Sequence, residues 1–180
     1  HDSPVSGGVG GDETATLTFM VGGTDAGFAR AQPILAQMGK TIVHTGPTGN
    51  GQAAKICNNM ILAISMLGVA EAFVLAEKLG LNHQTLFDIT AKSSGQCWAI
   101  TNYCPVPGPV PASPANRDFQ AGFTADMMLK DLRLAQDAAH KANATTPLGA
   151  EAQALFSMFV NRGHGGLDFS AIIRMIRGEA

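Results

Sequence analysis

The first part of the chain carries two short segments in which hydrophobic and polar positions alternate, separated by a segment with helical spacing. The alternating segments, 16–21 and 41–44, each stop at a glycine-containing turn, and this pattern predicts two β-strands. Between them, residues 25–38 place apolar side chains three and four positions apart, which predicts a helix with Asp25 as its N-cap and Gly39 as its C-cap. This part of the chain therefore predicts a strand, a helix and a strand of an α/β arrangement.

A long hydrophobic segment follows at residues 51–79. It contains no proline, and Gly68 is its only glycine beyond the first position, which predicts one helix of about 28 residues. Between residues 56 and 70 apolar side chains occupy nearly every side, so we expect this helix to be buried all round, covered by another domain or subunit. The same uncharged stretch is shorter than the ~18 to 20 residues that cross a bilayer, and on this ground we predict no membrane span.

The rest of the chain contains further helical segments and one proline-rich segment. The helices are predicted at 83–92, 124–143, 148–162 and 169–178. The segment 104–114 holds five of the nine prolines, which excludes a helix there. Composition alone favours an extended linker, whereas the large flanking side chains of Trp98, Tyr103 and Phe119 favour a loop fixed on a surface.

Charge and composition exclude several classes of protein. Twelve Lys and Arg against fourteen Asp and Glu give a net charge of −2, which leaves no basic excess for binding a nucleic acid. Three cysteines are too few and too irregularly spaced for a disulfide framework, and they suit a reducing compartment, the cytoplasm by default. The histidines and cysteines do not cluster at metal-ligand spacings, so we expect no metal site.

The first candidate for chemistry is the glycine-rich turn at residues 4–11. Successive glycines allow backbone N–H groups to converge on an anion, and Ser6 adds a hydroxyl donor, so the turn could hold a carboxylate or a phosphate. A flexible glycine turn without a ligand is the alternative. The turn does not match the dinucleotide-binding pattern Gly-x-Gly-x-x-Gly, and no such pattern occurs in the chain.

The second candidate is a lysine and an asparagine that follow another glycine-rich turn. Lys55 and Asn59 lie four residues apart and therefore share one face of the predicted helix. Lys55 stands at the edge of a stretch without another charge until Glu71. Partial desolvation there favours release of its proton near neutral pH, which suits a general acid or base, and the Asn59 amide can pair with a hydroxyl or carbonyl. A surface lysine with its stem along the helix is the alternative.

The third candidate is the pair Lys130 and Asp131, on the amphipathic segment 123–135. Such a pair is usually a solvated ion pair of little energetic consequence, and composition alone favours that interpretation. The three candidates nevertheless resemble, in order and approximate spacing, the C-terminal signatures of the β-hydroxyacid dehydrogenases. These are Pro-Val-Ser-Gly-Gly at 4–8, the run at 46–59 ending in Lys-x-x-Asn-Asn, and the segment containing Lys-Asp-Leu-x-Leu-Ala at 130–135.

The resemblance implies a role for each candidate residue. Lys55 would be the general acid/base on the substrate hydroxyl, and Lys130 would contact the nicotinamide cofactor. The residues implied in substrate binding are Ser6, Gly7, Gly8, Asn59, Phe123 and Asp131. The cofactor would be NAD, with NADP not excluded. Segments 93–98, 102–111 and 120–123 most resemble the members that oxidise 3-hydroxyisobutyrate to methylmalonate semialdehyde in valine catabolism.

The resemblance also implies a mainly α architecture in two parts. Residues 1–45 would be the C-terminal remnant of a Rossmann-type NAD-binding α/β domain, and residues 46–180 an all-helical substrate and dimerisation domain like that of 6-phosphogluconate dehydrogenase. Family members begin with a nucleotide-binding portion, of which this chain lacks roughly 120 residues, so we expect the chain alone to bind NAD poorly. We expect a homodimer or homotetramer, in the cytoplasm or, in a eukaryote, in the mitochondrial matrix.

Two alternatives to this function stay open. Within the family, the chain could belong to a tartronate semialdehyde reductase or another β-hydroxyacid dehydrogenase, although the proline-rich segment 104–114 favours 3-hydroxyisobutyrate. Outside enzymes, it could be a non-catalytic helical dimerisation module, in which the helix 51–79 matters and Lys55 does not.

Overall fold

A three-stranded sheet lies in the first part of the chain. The computed structural model describes residues 1–7 and 17–179, and the strands are β1 (Val5–Ser6), β2 (Leu17–Gly22) and β3 (Gly39–Gly46). In the order β1-β2-β3, β2 pairs antiparallel with β1 and parallel with β3. The two parallel strands need a crossover, and one helix supplies it.

That helix, α1 (Asp25–Leu35), confirms the predicted order of strand, helix and strand, but not the predicted caps. The N-cap is Thr24 rather than Asp25, because the Thr24 hydroxyl accepts the N–H of Gly27 at 3.2 Å. Gly39 does not cap the helix and is instead the first residue of β3. A Cβ at Gly39 would lie 2.5 Å from the Leu17 carbonyl oxygen, so the close approach of β3 to β2 requires glycine.

The long helix is α2 (Asn50–Lys78), and its 29 residues confirm the predicted length. The prediction that another domain or subunit completes its burial stays a prediction, because the structure describes this chain alone. Ala63, Met66 and Ala70 are fully buried, whereas Ile61 is 63% exposed and Leu75 is 59% exposed. The helix therefore packs one side into the core of this chain and leaves apolar side chains on another side in contact with solvent.

The length argument against a membrane span is wrong. By length and composition alone, α2 is long and apolar enough to cross a bilayer, because the few charges near its ends do not interrupt the apolar window. Core helices of proteins without a membrane region pass the same test. Fully buried Met66 and Ala70, in the middle of α2, pack in the core of this chain.

Helices form the remainder of the described chain. They are α3 (His83–Thr90), α4 (Trp98–Thr101), α5 (Ala125–Lys141), α6 (Pro147–Phe159) and α7 (Ile172–Arg177), with 3₁₀ turns at Pro114–Arg117 and Phe169–Ala171 and a π-helical turn at Val160–His164. Side-chain oxygens of Asn82 and Thr124 cap the first backbone N–H groups of α3 and α5. Fully buried Phe73, Phe156 and Phe159 lie in the core that these helices share.

The proline-rich segment is a folded loop and not a linker. Cys104 and Val106 are fully buried, and burial raises the pKa of the Cys104 thiol to about 11. The hydroxyl of Ser113 donates to the carbonyl of Cys104 at 2.6 Å. The hydrogen bond joins the two ends of the loop, and buried Cys104 and Val106 fix it in the helical core, as the large flanking side chains predicted.

The structure confirms the predicted fold class, because the chain is mainly α, with an α/β portion followed by an all-helical portion. It divides into two compact units, His1–Asn59 and Met60–Ala180, with the division inside α2. The predicted domain boundary between residues 45 and 46 stays a prediction.

Candidate active site

Lys55 lies in the second turn of α2, and its side chain is half-buried. Its Nζ donates a hydrogen bond to the backbone carbonyl of Val5 at 3.1 Å. Val5 precedes Ser6 in β1, so the amine lies beside the beginning of the predicted anion turn. The structure therefore brings the predicted general base next to the beginning of that turn, rather than leaving it free in bulk solvent.

The start of α2 is fixed by a side chain that the sequence did not reveal, Asp2. Its carboxylate accepts the N–H groups of Gly49 at 2.6 Å and Gln52 at 2.8 Å. The hydrogen bond from Gly49 and, to a smaller extent, that from Gln52 lower the pKa of Asp2, because both stabilise the charged carboxylate. A Cβ at Gly51 would lie 2.6 Å from this carboxylate and would overlap the Met20 carbonyl oxygen, so the helix begins directly against the strands.

Asn59 lies one helical turn beyond Lys55, on the shared face that their spacing predicted. It is only 6% exposed, and its Oδ1 accepts a hydrogen bond from Nδ2 of Asn58 at 3.0 Å. This bond orients the amide oxygen of Asn59. A buried amide with a fixed orientation is suited to selecting a hydroxyl or carbonyl partner.

The predicted anion turn is described only at its beginning. Ser6 is half-buried and pairs with Thr18 at the end of β1. Gly7 follows with a φ of 139°, a conformation that favours glycine, so the chain turns away from the strand there. Gly8 lies outside the described residues, and the anion site stays a prediction.

Phe123 lies just before α5 and is held by its backbone and its ring. Its N–H donates to Oδ2 of Asp168 at 3.1 Å, and its ring packs edge-on against Phe169, with the ring centroids 5.7 Å apart. Asp168 is fully buried, and further donors satisfy it. They are the Tyr103 hydroxyl at 2.8 Å, the Gly122 N–H at 3.0 Å, the Ser170 N–H at 3.0 Å and the Ser170 hydroxyl at 2.6 Å.

Sequence reasoning missed Asp168. The only local signal is an aspartate directly before a helical turn, which accounts for the bonds from Ser170 as those of an N-cap. The bonds from Tyr103 and Gly122 come from residues 65 and 46 positions away, and no local pattern reveals them.

The pair Lys130 and Asp131 is not the solvated ion pair that composition favoured. The Asp131 side chain is 4% exposed and the Lys130 side chain 54% exposed, with Nζ of Lys130 3.5 Å from Oδ1 of Asp131. Asp131 therefore lies on the buried face of α5, and Lys130 extends from it toward solvent. A half-exposed ammonium of this kind can contact the anionic or polar groups of a nucleotide.

The predicted site residues are divided between the two compact units. The first unit holds Ser6, Gly7, Lys55 and Asn59, and the second holds Phe123, Lys130 and Asp131. In the described ranges, no group of three or more His, Cys, Asp or Glu side chains is arranged to hold a metal ion. The contact of Lys130 with a nicotinamide cofactor stays a prediction, and the sequence contains no Gly-x-Gly-x-x-Gly pattern for the pyrophosphate of such a cofactor.

Two family models match this chain. The model described as "NAD-binding of NADP-dependent 3-hydroxyisobutyrate dehydrogenase" matches residues 49–176, and the model of the "NAD binding domain of 6-phosphogluconate dehydrogenase" matches residues 1–46. Together these matches cover both the sheet and the helical portion.

Curated proteins match over almost the whole chain. A "Probable 3-hydroxyisobutyrate dehydrogenase" of Mycobacterium tuberculosis (strain ATCC 25618 / H37Rv) is 54% identical over 179 residues, which are 99% of this chain and 60% of that protein. The mitochondrial 3-hydroxyisobutyrate dehydrogenase of Drosophila melanogaster is 48% identical over 178 residues, which are 99% of this chain and 55% of that protein. The chain thus spans slightly more than half the length of these relatives.

Solved structures have the same fold. The Mycobacterium tuberculosis 3-hydroxyisobutyrate dehydrogenase, described with L-serine, matches with a TM-score of 0.93 at 54% identity over 98% of this chain and 60% of that one. A 3-hydroxyisobutyrate dehydrogenase from Salmonella typhimurium matches with a TM-score of 0.83 at 27% identity, over 97% and 59%. These matches confirm the resemblance drawn from the three sequence signatures. The chain belongs to the 3-hydroxyisobutyrate dehydrogenase family.

Proposed function

We propose that this chain is the substrate-binding and catalytic portion of an NAD-dependent enzyme that oxidises 3-hydroxyisobutyrate to methylmalonate semialdehyde, a step of valine catabolism. Lys55 is the general acid/base. The observation that carries this proposal is the hydrogen bond of 3.1 Å between the Lys55 amine and the Val5 carbonyl, directly before Ser6. A 3-hydroxy acid carries its hydroxyl close to its carboxylate, so a base next to an anion turn fits both ends of it.

The proposed chemistry assigns one task to each residue. The neutral amine of Lys55 takes the proton from the substrate hydroxyl while the carbon–oxygen single bond becomes a carbonyl, and in the reverse direction the ammonium returns that proton. NAD supplies the acceptor for the hydride that leaves the carbinol carbon. Asn59 binds the substrate oxygen through its oriented amide, and the turn at Ser6, Gly7 and Gly8 binds the carboxylate.

Residues of the second unit complete the proposal. Phe123 and Asp131 line the substrate cleft, and Lys130 contacts the cofactor. The firm attachment of the Phe123 backbone to Asp168 and the burial of Asp131 support these roles, because positioning side chains need fixed supports. NADP in place of NAD is not excluded, because the residue that distinguishes the two follows the glycine pattern that this chain lacks.

The substrate is tested by comparing turnover of 3-hydroxyisobutyrate, glycerate and L-serine by the full-length protein, with NAD and with NADP. L-Serine is included because a solved relative is described with it. We expect the highest kcat/KM with 3-hydroxyisobutyrate and NAD. A clear preference for glycerate or L-serine would contradict the substrate assignment.

The same assay separates the enzyme from a non-catalytic dimerisation module. We expect Lys55→Ala to lower kcat by at least about 100-fold, which is the usual contribution of a general acid/base. Lys40→Ala is the control, because Lys40 is an exposed lysine in the same unit. A module would show no functional change in either variant.

We also propose that the protein forms a homodimer or homotetramer through α2, in the cytoplasm or in the mitochondrial matrix of a eukaryote. The exposed apolar side chains of Ile61 and Leu75 support assembly through this helix. Light scattering of the full-length protein measures its mass, and a stable monomer would contradict the proposed assembly.

A further inference from the structure

The segment from Asp2 to Val5 and the first turns of α2 are joined at two points. At one point the Asp2 carboxylate accepts the N–H groups of Gly49 and Gln52, and at the other the Lys55 ammonium donates to the Val5 carbonyl. Asp2 and Val5 are three residues apart, as are Gln52 and Lys55. Because the two contacts are three residues apart on each side, they fix the position of the first turns of α2 along the segment from Asp2 to Val5. They also fix the rotation of α2 about its own axis.

The backbone that carries Asp2 is itself fixed to the sheet. The N–H of Asp2 donates to the Gly22 carbonyl at 3.1 Å, and the Gly22 N–H donates back to the Asp2 carbonyl at 2.9 Å. Two residues further on, the Met20 N–H donates to the Pro4 carbonyl at 3.0 Å. Because these bonds extend the ladder between β1 and β2, the Asp2 carboxylate is presented to the helix from a fixed backbone.

The charge of Asp2 also fits the position. The N-terminus of a helix carries a partial positive charge, which an aspartate stabilises and a lysine does not. The first turn of α2 contains no acidic residue of its own. Asp2 supplies the missing negative charge from another part of the chain and offsets the unfavourable placement of Lys55 near this end.

We propose that Asp2 is a positioning residue for Lys55, whose amine it keeps beside Ser6 by holding the start of α2 against the strand segment. This inference rests on the proposed function of Lys55. Loss of the Asp2 carboxylate would free the first turn of α2 and let the amine move by a fraction of a helical turn. A displacement of about 1 Å in a catalytic group can cost up to about 100-fold in rate.

The kinetic test compares Asp2→Ala and Asp2→Asn in the full-length protein. We expect Asp2→Ala to lower kcat for 3-hydroxyisobutyrate about tenfold, within the range for misplaced groups, with the KM for NAD unchanged. Asp2→Asn keeps one acceptor oxygen but places an amide NH₂ against the other N–H and removes the charge, so it should recover only part of the loss. Asp25→Ala is the control, because it removes a carboxylate that is 99% exposed in the same unit, and it should keep wild-type kcat.

The second readout follows the amine itself and not turnover. The acylation rate of Lys55 by an N-hydroxysuccinimide ester, measured by mass spectrometry, should rise several-fold in Asp2→Ala and stay unchanged in Asp25→Ala. An unchanged Lys55 acylation rate together with an unchanged kcat in Asp2→Ala would overturn the inference. Full activity of Lys55→Ala would instead overturn the proposed function, and the acylation rate would still decide whether Asp2 positions the amine.

Discussion

At Asp168, five hydrogen bonds converge on a carboxylate that has no exposed surface. Burial of a charge is costly unless its oxygens are bonded, and here both oxygens have donors. One oxygen holds the backbone of Gly122 and Phe123, while the other holds Ser170. The carboxylate therefore fixes the backbone on which the proposed substrate contact Phe123 is carried.

Removal of one donor should measurably weaken this arrangement. Tyr103→Phe keeps the ring, which stacks on Trp98 and Phe169 with centroid distances of 4.9 Å and 5.4 Å, but loses the hydroxyl that donates to Asp168. We expect the free energy of unfolding to fall by about 1 to 3 kcal/mol, because a hydrogen bond to a buried charge is lost. Urea denaturation measures this value, and an unchanged midpoint would contradict it.

The pH dependence of the same bond has a definite sign. Burial and the negative charge of Asp168 both raise the pKa of Tyr103 above its ordinary value of 10. Burial is the larger of these effects. The contribution of the Tyr103 hydroxyl to stability is therefore fully present below pH 10 and decreases as the pH rises beyond it. The difference in unfolding free energy between wild type and Tyr103→Phe should accordingly stay constant from pH 6 to pH 9.

Residues with a local signature could be predicted from the sequence, whereas residues bonded across the chain could not. The shared face of Lys55 and Asn59 could be predicted because both lie in one helix at a spacing of four residues. Asp2 and Asp168 bond to partners 45 to 65 positions away, so only the folded chain shows these contacts. The burial of Asp131 was missed for a related reason, since a lysine next to an aspartate has the same pattern on an exposed helix.

The start of α2 depends on the absence of a side chain at Gly51. A Cβ there would overlap the Met20 carbonyl oxygen, whereas a Cβ at Gly68 of the same helix meets no atom within 4 Å. We expect Gly51→Ala to lower the free energy of unfolding by about 1 to 3 kcal/mol, because the helix start must shift. Gly68→Ala should raise it by up to about 1 kcal/mol through helix propensity.

Thermal or urea unfolding of both variants tests this contrast within one helix. An equal effect of the two substitutions would contradict the close approach between α2 and the strand segment. Gly51→Ala should also lower kcat, since Lys55 lies one turn further along the helix.

The other end of α2 is joined to α7 by a pair of charged side chains. The guanidinium of Arg177 donates two hydrogen bonds to the Glu77 carboxylate, at 2.6 Å and 3.0 Å, and His83 lies 2.8 Å from the same carboxylate. The bonds from Arg177, and to a smaller extent that from His83, hold the pKa of Glu77 below 4.5. A two-bond pair of this geometry is stronger than an ordinary surface ion pair.

Acid should remove this contribution. Because the pKa of Glu77 is lower in the folded state, the pair contributes fully above about pH 4.5 and progressively less as the pH falls further. We expect Glu77→Gln to lower the unfolding free energy by about 1 to 3 kcal/mol at pH 7 and by much less at pH 3. Glu71→Gln, at an exposed position of the same helix, is the control. A pH-independent difference for Glu77→Gln would contradict the assignment.

Helices and strands could be predicted where their ends have local sequence signals. They could be predicted less well where they depend on contacts with an adjacent strand or another distant part of the sequence. The length of α2 follows from the absence of proline, and α5 begins where Thr124 supplies a cap. Gly39 was misassigned because its place in β3 is dictated by the Leu17 backbone on the adjacent strand. Hydrophobicity alone does not show which side of α2 this chain covers, and the covering of its exposed side by another domain or subunit stays a prediction.

At the scale of the whole molecule, the chain spans 60% of its Mycobacterium relative and lacks the glycine pattern that cradles a dinucleotide. We expect these 180 residues alone to bind NAD at least about 100-fold more weakly than the full-length protein, a difference of about 2.7 kcal/mol. Isothermal titration calorimetry of both proteins compares the dissociation constants. Equal affinities would contradict the expectation that this chain alone binds NAD poorly.

The central claim is that the Lys55 amine moves the proton of the substrate hydroxyl, and chemical rescue tests it most directly. In full-length Lys55→Ala, the shortened side chain leaves space for a small primary amine such as methylamine. We expect 3-hydroxyisobutyrate oxidation to fall by at least about 100-fold and then to rise in proportion to the added free amine, while Lys40→Ala shows neither effect. Wild-type turnover in Lys55→Ala, or a loss that amine does not change, would contradict the claim.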